Sequence, residues 1–382
     1  MNKQTSFNFI DLFCGAGGLS CGLQMAGHHC VLGIDSNKVA METFKINHPQ
    51  AAAYTGSITE ITKESIDEIT NCTPIHLVVG GPPCQGFSTV GKGDPKDERN
   101  SLMKHFVRIV SEINPYFFIM ENVTGLLAKK NEKLLHSILH AFYQIGYNVN
   151  VKVLESQHYG VPEKRKRTIF LGSRINETIP FPKPLFSYAN VETVDKALKN
   201  LKNSNRGYYN HDLDQAQIKK PIDKLRIHHI PEGKGIRYQA DEEKYLPKKL
   251  KLKIDWNTIK ENRLRQTRYQ RLDGKKPAPT ILTSRHSYYH PQEDRFLTAR
   301  EAAKLQSFPN DFIFKGNQIN IWRQIGNAVP PLLAKALGEQ LITLWQEYIK
   351  LNRSGKTNRV IKNSKHEIHK IRGRAFIYHI EL

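Results

Sequence analysis

The first 180 residues alternate short, almost wholly apolar runs with helix-like stretches, and that alternation leaves the chain few architectures. "FNFIDLF", "CVLGID", "IHLVVGG", "YFFIMENV", "VNVKVLES" and "RTIFLGS" read as strands. Between them lie a helix-like stretch to Ala26, "NKVAMETFKIN" starting near Asn37 as N-cap, the amphipathic "SLMKHFVRIVSEI", and "LLHSILHAFYQIG". A strand that is apolar on both faces must be covered on both. The pattern therefore predicts an α/β fold with a doubly wound, mostly parallel sheet. In such a sheet the carboxyl ends of the strands share an edge, and ligands bind in a crevice there.

The residues at those strand ends carry chemistry. "DLFCGAGGLS" runs from a strand through a glycine-rich turn into a helix, a turn that lets a ligand approach the backbone. About 20 residues on, "LGIDSN" ends a strand with Asp35, an acid able to accept both ribose hydroxyls of a nucleotide-like cofactor. The GxGxxG fingerprint is not met, which counts against NAD. In "LVVGGPPCQGFS" two prolines restrict the backbone before Cys84, and Gly86 leaves room for a substrate. A structural cysteine belongs inside an apolar run; one presented between PP and QG reads as a nucleophile. "STVGKGDPKDERN" follows, polar and rich in Gly and Lys as a lid would be. "YFFIMENV" ends with Glu121 near the same edge, and "YGVPEKRKRTIFLG" adds Arg165 and Arg167, which share a side if the segment is extended.

Beyond residue 180 the character changes. Pro180, Pro182 and Pro184 favour an extended connector, and Lys219 to Lys276 is dense in Lys and Arg with little regular periodicity. "LTAREAAKLQSF" and "PPLLAKALGEQLITLWQEYIKL" read as helices, the second able to return to the first domain. The formal net charge of +21 points to a polyanionic partner, nucleic acid before membrane. The start, "MNKQTSFNFIDLF", is too polar for a signal peptide, and no run approaches the ~20 apolar residues of a membrane helix. Five cysteines without a CxxC pair suggest neither a disulfide framework nor a metal site, which fits a reducing cytoplasm.

The ordered set "DLFCGAGG", "GIDSN", "GGPPCQGFS", "ENV", "VPEKRKR", "RFLTAREAAKLQSFP" and "QIGNAVPP" resembles the C5-cytosine-specific DNA methyltransferases of bacterial restriction–modification systems. The resemblance runs from about Phe9 to Leu344, apart from a variable stretch between roughly 180 and 265. It implies the class I S-adenosylmethionine-dependent methyltransferase fold with a smaller, irregular target-recognition domain. The expected division is 1–183 catalytic and cofactor-binding, 184–319 target recognition, 320–350 returning to the catalytic domain, and 351–382 a basic C-terminal extension. That tail carries eight Lys or Arg against two acids; "AFIYHIEL" has strand character, but a flexible extension is expected.

By the same resemblance, Cys84 attacks C6 of a flipped-out cytosine, Glu121 sits on N3, and Arg165 and Arg167 hold O2 and the catalytic loop, Arg167 being favoured for O2. S-adenosylmethionine is the implied donor, with no metal. Phe13 would stack on adenine, Gly15 and Gly17 admit the methionine part, and Asp35 hold the ribose; Ser57, Ile58, Pro83, Leu102, Asn327 and Val329 complete the pocket. Ser88 and Arg99 are implied DNA contacts. Phosphate contacts and base readout fall to the basic variable region, the readout on its loops. Double-stranded DNA is the implied partner of a monomer in the bacterial nucleoid, with a cognate endonuclease as a genetic and not a physical partner. Three positions depart from the family pattern: Ser57 for a common Asp, Glu163 for Gln, and Ala299 for Pro. The first predicts weaker cofactor binding; the other two are expected not to touch the chemistry. The alternatives are a tRNA C5-methyltransferase, against which the long basic stretch argues, and a silent DNA-binding module, against which the intact PCQ and ENV argue.

Overall fold

The computed structural model describes residues 6–83, 102–177, 179–199, 201, 209–353, 365–371 and 375–381. Two compact units result: residues 1–159, 166–185 and 328–382 form the first, and residues 160–165 and 186–327 the second.

The first unit is built on strands β1 (Asn8–Leu12), β2 (His29–Asp35), β3 (Ala52–Thr55), β4 (Leu77–Gly80), β5 (Phe117–Asn122), β6 (Asn148–Glu155) and β7 (Lys166–Ser173). Helices α1 (Gly18–Met25), α2 (Lys38–Asn47), α3 (Lys63–Ile69), α4 (Leu102–Ile113) and α5 (Glu132–Gln144) separate them. The strands lie in the order β6-β7-β5-β4-β1-β2-β3. Neighbours from β3 to β5 are parallel, and β7 is antiparallel to both β5 and β6.

Strand alternation explains why these runs are apolar throughout. Phe9, Leu77, Val79, Phe117 and Ile119 point to one face and pack with Leu19 and Leu23 of α1. Ile10, Leu12, Val78, Phe118 and Met120 point to the other and meet Phe106 and Ile109 of α4 and Phe142 of α5. Asn37 caps α2, as its sequence suggests, by accepting the Ala40 N–H at 3.0 Å.

The second unit contains α6 (Val194–Leu198), α7 (Pro221–His228), strands β8 (Ile236–Tyr238) and β9 (Arg263–Arg268) with α8 (Gln239–Tyr245) between them, α9 (Ala299–Leu305) and α10 (Gln318–Asn327). The basic stretch thus holds short regular elements that the absence of periodicity did not foretell. Its order comes from buried polar anchors as well as apolar stripes. Arg271 is 5 % exposed and donates to the carbonyls of Ile227, Ile230, His290 and Glu293. Buried Glu242 accepts the Trp256 indole N–H at 2.8 Å. Ala299 opens α9 behind a Thr298–Glu301 capping box. The first helical N–H needs no intrahelical partner, so Ala serves where Pro is common.

The chain returns to the first unit as α11 (Pro331–Arg353), which packs across α1. Leu333, Leu337, Leu341 and Leu344 of α11 belong to the same buried cluster as Leu19 and Leu23 of α1. A Cβ on Gly22 would stand 2.0 Å from the Pro331 carbonyl oxygen, so only glycine permits this approach. No helix among the described residues is long and apolar enough to cross a membrane.

The tail departs from the flexible extension expected of it. Strands β10 (Lys365–Ile371) and β11 (Ala375–Glu381) form an antiparallel hairpin, and β11 pairs with the edge strand β6 through Phe376 and Val151. "AFIYHIE" is rich in β-forming residue types, and the open edge of β6 offers unpaired backbone groups.

Candidate active site

Because β2, β1, β4 and β5 are parallel neighbours, Asp35, Leu12, Gly80 and Asn122 end at one edge of the sheet. β1 lies between β2 and β4, where the winding reverses; crevices form at such points. The turn after β1 is tight. Phe13 has φ 60°, Gly15 has φ 53° and Gly17 has φ 89°. Asp35 holds this turn, accepting the Gly15 N–H at 2.9 Å on Oδ2 and the Asn37 N–H at 2.8 Å on Oδ1. Each carboxylate oxygen accepts from one of these N–H groups and keeps a further lone pair for a ligand hydroxyl. Burial raises the Asp35 carboxyl above the usual carboxylate range.

The two glycines do different work. Nothing lies within 4 Å of where a Gly15 Cβ would be, so a ligand has room beside that backbone. At Gly17 a Cβ would stand 2.2 Å from Nε2 of His48, so this glycine makes room for an internal ring. Half-buried Phe13 and Leu102 pack against the apolar cluster that contains Ile58. Ser57 spends its hydroxyl locally, 2.7 Å from Thr59 Oγ1. Pro83 is half-buried, Val329 is buried, and Asn327 is exposed where it ends α10 in the second unit. A half-exposed aromatic ring, an acid with lone pairs to spare and an unobstructed glycine fit an adenosine-bearing cofactor.

Asp11 is the residue that sequence reading passed over. It is 1 % exposed inside β1 and accepts the Ser20 hydroxyl at 2.6 Å. The signal was present as one acid in an otherwise apolar strand. Burial pushes its carboxyl up to about 7; the Ser20 bond opposes that shift and the Asp35 charge adds to it. A carboxyl raised on folding stabilises while protonated. Its contribution is whole below the unfolded value of 3.8 and lost as pH rises through about 7. Buried His48, pulled down to about 4, acts oppositely: its contribution is present above 6.5 and lost as pH falls through 4. The wild-type curve mixes the two, so a matched variant separates them. Asp11→Asn keeps an acceptor for Ser20 and cannot ionise. Its Tm relative to wild type should therefore rise between pH 5 and pH 8, by ~2–4 °C for each kcal/mol of ionisation cost. A pH-independent difference in thermal unfolding would refute the assignment.

At the end of β5, Glu121 is 9 % exposed and its Oε1 pairs with Nε of Arg167, in the adjacent strand β7. Arg167 Nη1 donates to the Lys166 carbonyl at 2.9 Å. Asn122 donates to the Pro82 carbonyl at 3.2 Å and accepts the Val123 N–H at 2.8 Å, tying the proline segment to the end of β5. A Cβ on Gly81 would lie 3.2 Å from Glu121 Oε2, so the chain entering Pro82 and Pro83 passes beside that carboxylate. Cys84, Ser88 and Arg99 lie outside the described residues.

The two arginines do not act as the pair their spacing suggested. Strand β7 begins at Lys166, and Arg165 lies ahead of it in the second unit. There Arg165 is fully buried and donates to the carbonyls of Gly326 at 2.7 Å and Ile281 at 3.3 Å. Glu163, also fully buried, accepts the Ile281 N–H at 2.6 Å and lies 3.6 Å from Arg165. Through Gly326, Arg165 holds the residue before Asn327. The family departure at Glu163 therefore falls on a buried charge pair.

Seven strands in this order, with β7 the antiparallel one and a glycine turn and acid at the switch point, define the class I fold of S-adenosylmethionine-dependent methyltransferases. Residues 7–343 match the family model for C-5 cytosine-specific DNA methylase, and the chain belongs to that family. It is therefore an enzyme that methylates cytosine in DNA at C5. Type II methyltransferase M1.HphI of Haemophilus parahaemolyticus is 34% identical over 342 residues, covering 89% of this chain and 87% of the relative. Type II methyltransferase M.DdeI of Desulfomicrobium norvegicum is 33% identical, with 87% and 88% covered. A prophage-encoded Escherichia coli protein, described as a candidate DNA modification methyltransferase, superposes with a TM-score of 0.68 at 26% identity. That match covers 89% of this chain and 99% of the other.

Proposed function

We propose that the chain transfers the methyl group of S-adenosylmethionine to C5 of a flipped-out cytosine in a specific duplex sequence, through a covalent Cys84–C6 intermediate. It would act as a monomer and as the modification half of a Type II restriction–modification system, whose endonuclease is a genetic and not a physical partner. The observation that carries this reading is Glu121: a carboxylate at the sheet edge, paired with Arg167 and flanked by the proline segment that leads into Cys84.

Cytosine C5 is a weak carbon nucleophile. Addition of the Cys84 thiolate at C6 pushes electron density into the ring and makes C5 enamine-like, splitting one hard step into two. Glu121 meets N3 and supplies or shares a proton as charge gathers there. Arg167 fixes the Glu121 carboxylate and is the candidate donor to O2. Arg165 is a positioning residue acting through Gly326. S-adenosylmethionine, when bound, supplies an electrophilic methyl on a sulfonium. Phe13 would stack on its adenine, Asp35 accept its ribose hydroxyls, and Gly15, Ile58, Pro83, Leu102 and Val329 line the remainder. With the Ser57 hydroxyl engaged by Thr59, the adenine amino group gains less there than from a carboxylate. Loss of the C5 proton and departure of Cys84 restore the ring. The first unit carries this chemistry, and the basic second unit supplies DNA contacts.

The test is incubation of purified protein with plasmid DNA and methyl-labelled donor, followed by hydrolysis and mass spectrometry of the nucleosides. Label should appear as 5-methylcytosine. Label on an exocyclic nitrogen, or in tRNA and not in DNA, would overturn the proposal.

A further inference from the structure

The second unit carries a two-stranded antiparallel ribbon, β8 with β9, anchored by buried Ile236 and exposed at most positions of β9. Ile236 of β8 is fully buried, and Leu264 of β9 packs with it in a core that contains Ile227, Trp256 and Tyr289. Alternation along β9 puts Arg263 and Arg265 on the opposite face, and both are exposed. A slip in register between Ile236 and Tyr238 sets Tyr238, 45 % exposed, across from Arg263.

Arginine is concentrated on this ribbon. Residues 219–276 hold twelve Lys and six Arg, yet β9 alone carries three of the Arg and no Lys. Arg226 and Arg271 of the same stretch are consumed internally by carbonyl oxygens and by Asp223 and Asp294. Arg263 has one exposed ion pair, to Glu261 at 3.4 Å, a kind worth little. Among the described residues no carboxylate is within ion-pair distance of Arg265 or Arg268.

Three features favour base reading over a simple phosphate clamp. A two-stranded ribbon fits the major groove of B-form DNA, which is about 12 Å wide. Lysine suffices to neutralise phosphate, whereas the planar fork of arginine matches O6 and N7 of guanine together. Residues two apart on a strand are roughly 6.8 Å apart, and two base-pair steps at ~3.4 Å each span the same length. We propose that the β8–β9 ribbon enters the major groove of the target duplex and that Arg263 and Arg265 each read one guanine, at positions two steps apart. The inference rests on the assignment of duplex DNA as substrate. It moves base recognition from loops, where the sequence suggested it, to a strand.

The experiment has two stages. Bisulfite sequencing of plasmid from cells expressing the wild type defines the methylated site; absence of any methylated cytosine would defeat the underlying assignment before the ribbon is tested. Arg263→Lys and Arg265→Lys are then assayed on duplexes with each base pair of that site replaced in turn. Both side chains are exposed, so Tm should stay near that of wild type. Each Lys variant should accept replacement of one G·C pair, with discrimination in kcat/KM falling roughly 10- to 100-fold there. The two relaxed positions should lie two steps apart. Retained discrimination in both Lys variants would overturn the inference. So would Ala variants that weaken binding to all duplexes alike while lowering the salt slope by about one per side chain, the mark of phosphate contacts.

Discussion

Cys84→Ala should abolish methyl transfer, with turnover reduced by roughly 10⁴-fold or more, the scale seen when a covalent nucleophile is removed from an enzyme. Without addition at C6 the C5 carbon stays part of an aromatic ring too electron-poor to attack a methyl group. Cys84 is preceded in the chain by Pro82 and Pro83, and Asn122 holds the Pro82 carbonyl, so the segment leading to the proposed nucleophile is anchored to β5. The substitution removes one sulfur and leaves that anchor intact. DNA binding, measured by titration against a labelled duplex, should therefore persist. A duplex carrying 5-fluorocytosine makes the assignment sharper. Fluorine cannot leave C5 as a proton does, so the wild type should give an adduct that survives denaturation and the variant none. Turnover in Cys84→Ala, or an adduct formed without that thiol, would sink the covalent mechanism.

Glu121→Gln should lower kcat by about 10²- to 10⁴-fold, the range for loss of a general acid or base, with a much smaller change in DNA affinity. Glutamine keeps the shape and an acceptor oxygen for Arg167, but its amide cannot exchange a proton with N3. The conservative variant matters here because Glu121→Ala would also leave the Arg167 guanidinium without its partner, mixing stability with chemistry. Single-turnover rates at saturating DNA separate the two effects. Equal losses in Gln and Ala variants point to proton transfer. Near-normal rates in Gln with collapse in Ala would reduce Glu121 to an anchor for Arg167 and refute its place on N3.

The sheet was legible because burial on both faces writes itself into local composition. "IHLVVGG" and "YFFIMENV" need no context to be read as covered strands, and Asn37 announces α2 through its own side chain. The acid at Asp35 and the glycine turn could be assigned to one edge because parallel strands end together. Legibility stopped where long-range contacts choose among equivalent residues. Gly15 and Gly17 look alike in sequence, yet one faces open space and the other faces the His48 ring, which arrives from 31 residues away. Arg165 and Arg167 likewise look paired. The partners of Arg165, Ile281 and Gly326, lie 116 and 161 residues along the chain.

The basic stretch shows the same divide. Arg226, Arg265 and Arg271 are indistinguishable in composition, but two are drawn inward by carbonyl oxygens that the folded backbone gathers, and one is left facing water. Charge raised the expectation that the region meets an anion; which guanidiniums stay exposed depended on packing. Motif chemistry and strand covering are local or pairwise properties, carried by residue type and order along the chain. The division of glycines, arginines and acids between scaffold and site is a property of three-dimensional neighbours, and it arises only once distant segments have been brought into hydrogen-bonding distance.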